Sequence, residues 1–158
     1  MVRMSKLTDY AIVLLALLAR DESETPHNAR EVASSAHLPF PVVSKILKAL
    51  ARAGLLVSHR GAKGGYALAR RPDEISVAEA IRAMEGPIAL TECAAGPGHC
   101  QQESFCGIRH PWQRVNELIR EHLERVPLSE LLVPPPFGSG GRIDDASGLR
   151  SVGRGPAN

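Results

Sequence analysis

Three cysteines, Cys93, Cys100 and Cys106, stand in a C-x6-C-x5-C pattern. The surrounding stretch, 90–107, also carries three glycines and a proline. An odd, tightly clustered set is a poor disulfide framework and points to a reducing compartment. Soft thiolates suit an iron-sulfur cluster as well as zinc, and three of them leave a coordination position for another residue. The spacing differs from the paired C-x2-C knuckles of zinc ribbons, and a metal-free thiol switch is a further reading of the same residues. A cysteine hydrolase built on Cys106 and His110 lacks a Gly-rich oxyanion loop leading into a helix beside them, so no enzyme is expected.

A second set of residues has the chemistry to meet phosphate and base edges. Over 42–53, Val43, Ile46, Leu47 and Leu50 recur at i, i+3, i+4 and i+7, which predicts an amphipathic helix. Its opposite side carries Ser44, Lys45, Lys48 and Arg52. Ser44, Lys45 and Lys48 are the candidate major-groove readers. Farther on, Arg60 and Lys63 flank a Gly-rich turn ending in Gly64 and Gly65. There the charges can reach phosphates or a minor groove, and the glycines let backbone approach closely. The ordinary alternative is a solvated basic helix face beside an unremarkable hairpin.

These residues must be positioned by a small, aliphatic fold. The chain has 158 residues, 44% hydrophobic and only 4% aromatic, with Ala/Leu/Val-rich runs that favour helices. Periodicity predicts helices over 6–20, 29–36, 42–53 and 77–85, and another after Pro111 marked by Trp112, Val115, Ile119, Leu123 and Val126. Leu128 to Leu132 can add one further turn. Short strands over 55–60 and 66–69 bracket the Gly-rich turn as a β-hairpin. The stretch 90–107 reads as a loop, and 133–158, with 10 Gly and Pro in 26 residues, as a disordered tail.

Charge is divided along the chain. Residues 1–72 hold 11 Lys/Arg against 5 Asp/Glu, and 73–132 hold 5 against 10. That asymmetry suits a nucleic-acid-binding N-terminal half. The apolar run YAIVLLALLA is ten residues, half of what a membrane span needs. Arg3 and Lys6 before it give it the look of a secretory signal, but Asp9 and the missing cleavage site argue against one. A cytoplasmic protein is expected.

The ordered set is a winged helix-turn-helix: mainly α, with a small β-hairpin wing and a long C-terminal dimerisation helix. The sequence resembles the Rrf2 family of bacterial transcription regulators over about residues 1–132. The carrying segments are Met4-Ser-Lys-Leu-Thr-Asp-Tyr10, Val43-Ser-Lys-Ile-Leu-Lys-Ala-Leu50, Arg60-Gly-Ala-Lys-Gly-Gly-Tyr66 and Leu90-Thr-Glu-Cys93. Ser5-Lys-Leu-Thr-Asp-Tyr10 and Glu85-Gly-Pro-Ile-Ala-Leu-Thr-Glu-Cys93 are most similar to the branch that regulates the SUF iron-sulfur assembly system.

The resemblance implies a homodimer on a palindromic operator, and a 2Fe-2S or 4Fe-4S cluster held by Cys93, Cys100 and Cys106. It also implies a repressor of SUF genes, or alternatively a nitric oxide or redox sensor controlling detoxification genes. The chain departs from the family at the fourth ligand. One branch has a histidine three positions after the last cysteine; here Arg109 stands there, with His110 next. Another branch uses an aspartate of helix one from the partner subunit, which corresponds to Asp9. His110 is the first candidate by proximity and Asp9 in trans the second, followed by His99, Glu92 and Glu103. Ordinary readings of the first two are a residue at a helix N-terminus and a helix-dipole carboxylate. The expected organisation is a DNA-binding domain over 1–86, a cluster-binding loop over 87–110, a dimerisation helix over 111–132 and the tail over 133–158.

Overall fold

A computed structural model describes residues 4–21, 25–61 and 63–132. The tail over 133–158, expected to lack order, lies outside the described residues, as does Ala62 in the wing. No helix among the described residues is long and apolar enough to cross a membrane.

Helix α1 (Lys6–Arg20) starts at Ser5, whose hydroxyl accepts the Thr8 amide at 3.3 Å. That satisfies one of the orphan donors of the first turn. Its inward face is Thr8, Ala11, Leu14, Leu15 and Leu18. Helix α2 (Ala29–Ser35) opens with a capping box between Asn28 and Glu31. A turn through His37, at φ 52°, leads to α3 (Phe40–Arg52).

Helix α3 begins two residues before the expected 42. Pro39 occupies the N-cap and Pro41 sits in the first turn, where a missing N–H costs nothing. Val43, Ile46, Leu47 and Leu50 are fully buried, as their spacing requires. Gly54, at φ 76°, ends the helix: its N–H bonds the Ala51 carbonyl while that of Leu55 bonds Leu50. These paired contacts form a Schellman motif.

Strands β1 (Leu56–His59) and β2 (Gly65–Leu68) pair antiparallel, with Leu56 opposite Leu68 and His59 opposite Gly65. A 3₁₀ turn at Pro72–Glu74 precedes α4 (Val77–Glu85), which is capped by Ser76 and Glu79 and stopped by Gly86 at φ 83°. The stretch expected to be loop contains one helical turn, α5 (Glu92–Ala95). The last long helix, α6 (Arg109–Arg125), starts ahead of Pro111 rather than after it, because a proline in the first turn removes an N–H that has no helical partner anyway.

The chain then folds back. Val77 donates to the Val126 carbonyl at 2.9 Å and Leu128 to the Ile75 carbonyl at 2.7 Å. The 3₁₀ segment Leu128–Leu132 packs on α1, and Leu128 joins Leu14, Leu15, Ile46, Leu47, Leu50, Leu55 and Ile75 in one aliphatic core. That core joins residues near both ends of the described sequence to Ile46, Leu47, Leu50, Leu55 and Ile75 between them.

Candidate nucleic-acid interface and cysteine loop

Burying one face of α3 leaves the other in solvent. Lys45 and Lys48 are exposed and Ser44 lies half-buried at the edge of the same surface. Arg60 and Lys63 are exposed on the hairpin. Between α3 and the hairpin runs a cleft lined by Lys48, Ala51, Arg52, Ser58 and Tyr66. Docking the hairpin on α3 thus gathers two cationic and two hydroxyl-bearing residues around one cleft. Ser58 and Tyr66 carry no local sequence signal for that position; it is created by docking the hairpin on the helix.

Gly64 and Gly65 have internal structural reasons to be glycine. An added Cβ at Gly64 would lie 2.4 Å from the His59 carbonyl oxygen, and one at Gly65 2.4 Å from that of His27. His27 and Tyr66 exchange backbone hydrogen bonds of 3.0 and 2.8 Å, so the segment before α2 adds a short rung beside β2. Gly64 and Gly65 do not have positive φ; in the hairpin the left-handed backbone is at Gly61, φ 107°. His27 also pairs through Nε2 with Asp21 at 2.8 Å.

The cysteine loop is held at its entry by α6. Asn116, the buried residue of that helix, accepts the Leu90 amide at 3.0 Å and donates to the Ile88 carbonyl at 3.1 Å. Cys93, Cys100 and Cys106 are free thiols, all half-buried, and the Cys93 sulfur lies 3.2 Å from the Thr91 hydroxyl. Among the described residues, however, no group of three or more His, Cys, Asp or Glu side chains stands together to hold a metal. The expected shell of Cys93, Cys100, Cys106 and His110 is therefore not assembled in this conformation. Beyond the α5 turn the loop is shaped by local turns such as Glu103 to Cys100 and Phe105 to Gln102. The loop contributes no buried apolar residue.

The other candidates are equally dispersed. Asp9 and His110 are exposed, as are Glu92 and His99. Glu103 is engaged by Arg109 at 2.6 Å and by the Gly98 amide at 2.7 Å. Arg109 Nε is a buried N–H donor without a hydrogen-bond partner, on a residue that lines a cleft with Cys93, Gly96, Gln113 and Asn116. A buried orphan donor calls for an acceptor. Three thiols are ligand chemistry suited to a sulfur-rich group; of them Cys93 lines this cleft with Arg109, and Glu117 borders it as well.

Two short helices meeting at a tight turn, the second with a basic outer face, followed by a two-stranded hairpin, define a winged helix-turn-helix regulator. The family model for Rrf2, described as an iron-dependent transcriptional regulator, matches residues 4–134, and the chain belongs to that family. Its relatives are transcriptional regulators, not enzymes. They include CymR of Bacillus subtilis, 30% identical over 122 residues that cover 77% of this chain and 83% of CymR. NsrR of Geobacillus kaustophilus is 29% identical over 151 residues, 95% of each chain. The solved structure of T. potens IscR superposes with a TM-score of 0.62 at 29% identity, covering 83% of this chain and 86% of that one.

Proposed function

We propose that this regulator is a cytoplasmic homodimer that represses iron-sulfur assembly genes of the SUF type and senses cluster supply through Cys93, Cys100 and Cys106. The observation that carries the reading is the trio of free, half-buried thiols on a loop without buried apolar residues, one of which, Cys93, shares a cleft with Arg109, whose Nε–H is orphaned. A 2Fe-2S or 4Fe-4S cluster supplies a centre whose presence depends on iron, oxidant and nitric oxide. His110 in cis and Asp9 from the partner subunit are the proposed alternatives for the fourth position. The loop is tied to α6 through Asn116, and α6 to α4 and the core through Val126 and Leu128. Ordering the loop therefore biases the placement of α3 by differential contacts in the two states.

The dimer is supported by the outer face of α6, where Ile108, Trp112, Val115 and Leu118 are 59, 40, 41 and 40% exposed. An apolar stripe of that kind on a helix is suited to pairing with its copy. A twofold dimer sets two α3 helices about 34 Å apart, matching half-sites of a palindrome with Lys45 and Lys48 toward the major groove and Arg60 and Lys63 on the backbone. NsrR similarity over nearly the whole chain supports a second reading of the same site, a nitric oxide or redox sensor.

Anaerobic purification with iron and acid-labile sulfide analysis, visible absorption and Mössbauer spectroscopy tests the proposal. Stoichiometric iron and sulfide, and salt-dependent binding to a palindromic duplex that changes on cluster loss, are expected. Stoichiometric zinc without sulfide, even after reconstitution, overturns it.

A further inference from the structure

Phe40 is the first residue of α3 and remains 43% exposed, although it is the largest apolar side chain in the helix-turn-helix segment 29–52. It lies one turn before Ser44 and two turns before Lys48, along the flank where the buried face of α3 meets its basic face. The guanidinium of Arg30, at the second position of α2, stands 5.4 Å from the centre of its ring. Pro39 and Pro41 fix the backbone on either side. The ring is thus held in place at the N-terminal end of α3, without being used by the core.

An exposed aromatic ring with Arg30 stacked on it, and with Lys45 and Lys48 farther along the same helix, is poorly placed to meet an apolar protein surface, because burying it there would desolvate those cations. It is well placed on a polyanion. In the major groove the one apolar feature of a base edge is the C5 methyl of thymine, and phenylalanine is among the side chains that contact it. Residues at the N-terminal end of a recognition helix are those that meet base edges. Arg30, stacked on the ring, is then directed at the flanking phosphate, so one cation–π pair joins a sequence contact to a backbone contact.

From these positions we infer that Phe40 is a specificity-determining residue that reads a thymine methyl in each half-site, with Arg30 as the positioning residue that holds its ring and contacts the adjacent phosphate. The inference rests on α3 being the groove-reading helix of this DNA-binding family.

The test uses full-length protein and a randomised duplex library, followed by anisotropy titration of the selected site. Wild type is expected to select thymine at one position per half-site, and F40A to lose that preference while keeping the rest of the motif. Replacing the selected thymine by uracil, which lacks only the methyl, should weaken wild-type binding about fourfold, the worth of one buried methyl group, and leave F40A unchanged. F40L, which retains an apolar contact, should keep part of the uracil effect. R30A should lose affinity on every sequence and lower the salt slope by about one unit. F40A is expected to melt with the wild type because the ring is outside the core, and circular dichroism checks this. Identical base preferences in wild type and F40A, or equal binding of thymine and uracil duplexes by wild type, overturn the assignment of Phe40. Failure of wild type to select any sequence overturns the groove-reading role of α3 itself, and the two results are distinct.

Discussion

The hydroxyl of Thr8, fully buried in the first turn of α1, donates to the Glu85 carboxylate in the last turn of α4, 77 residues away. The same oxygen accepts the backbone N–H of Ser5 at 2.8 Å. One carboxylate thus caps the beginning of α1 and fixes it to the residue that introduces the cysteine loop. The two hydrogen bonds, Thr8 first and Ser5 second, hold Glu85 below its ordinary pKa of 4.5.

Glu85→Gln is expected to lower stability at neutral pH by about 1 kcal/mol, a modest figure because the carboxylate is exposed. A group whose folded pKa is depressed stabilises the fold above its unfolded pKa, and that contribution fades as pH falls through the folded value. The difference in melting temperature between wild type and E85Q should therefore be full at pH 7 and close in acid. A gap independent of pH between 7 and 3 contradicts the assignment.

Gly65→Ala places a methyl 2.4 Å from the His27 carbonyl oxygen, backbone against backbone. A cost of about 1 to 3 kcal/mol is expected as the wing separates from the segment before α2. Urea denaturation measures the loss. Gly61→Ala, with open space but φ 107°, should cost about 1 kcal/mol through backbone strain alone.

Lys45→Ala and Lys48→Ala should weaken operator binding while leaving the melting temperature unchanged, since both side chains are in solvent. For each phosphate no longer neutralised, the slope of log K against log salt falls by about 0.9. Fluorescence anisotropy across a salt series reads this directly, and unchanged affinity in both variants removes α3 as the reader.

Any single change among Cys93→Ala, Cys100→Ala and Cys106→Ala should deplete iron and acid-labile sulfide in anaerobically purified protein, yet leave the helical content and cooperative melt intact, because none of the three lies in the core. Asp9→Ala and His110→Ala separate the fourth-ligand alternatives by which of them alters the visible spectrum and shortens cluster lifetime in air.

Asn116→Ala should detach the loop entrance from α6. Two backbone groups, the Leu90 amide and the Ile88 carbonyl, are left without their partner, at a cost of about 1 to 3 kcal/mol. Amide hydrogen exchange should rise first over 88–92.

Local signals in the sequence carried the elements well. The apolar spacing of Val43, Ile46, Leu47 and Leu50 predicts α3, and the structure buries all four; the Ser5 cap and the glycines at 54 and 86 that bound the helices act over one or two turns as well. What the sequence hid is long-range. Asn116 interrupts the apolar stripe of α6 and reads as a neutral surface residue, yet it is the buried one, while Trp112 and Val115 face outward. The pairing of Thr8 with Glu85 and the approach of His27 to Gly65 depend on how helices and hairpin are stacked, for which spacing along the chain contains no information. The cysteine pattern is visible as ligand chemistry, but among the described residues no group of three such side chains stands together, and a loop without buried apolar residues holds no local signal for their placement.

The return of Leu128 into the core, beside Leu14 and Leu15, sets the order in which the chain can finish folding. During synthesis the first helix emerges more than a hundred residues before the side chain that seals it. Until then the inner surface of α1 is incompletely covered, a non-local closure of the kind that slows folding and exposes apolar surface on a nascent chain. A ribosome stalled after Arg125 would display a complete helix-turn-helix and wing with an open seam along α1. The seam closes only when Leu128 has followed, more than a hundred residues behind α1.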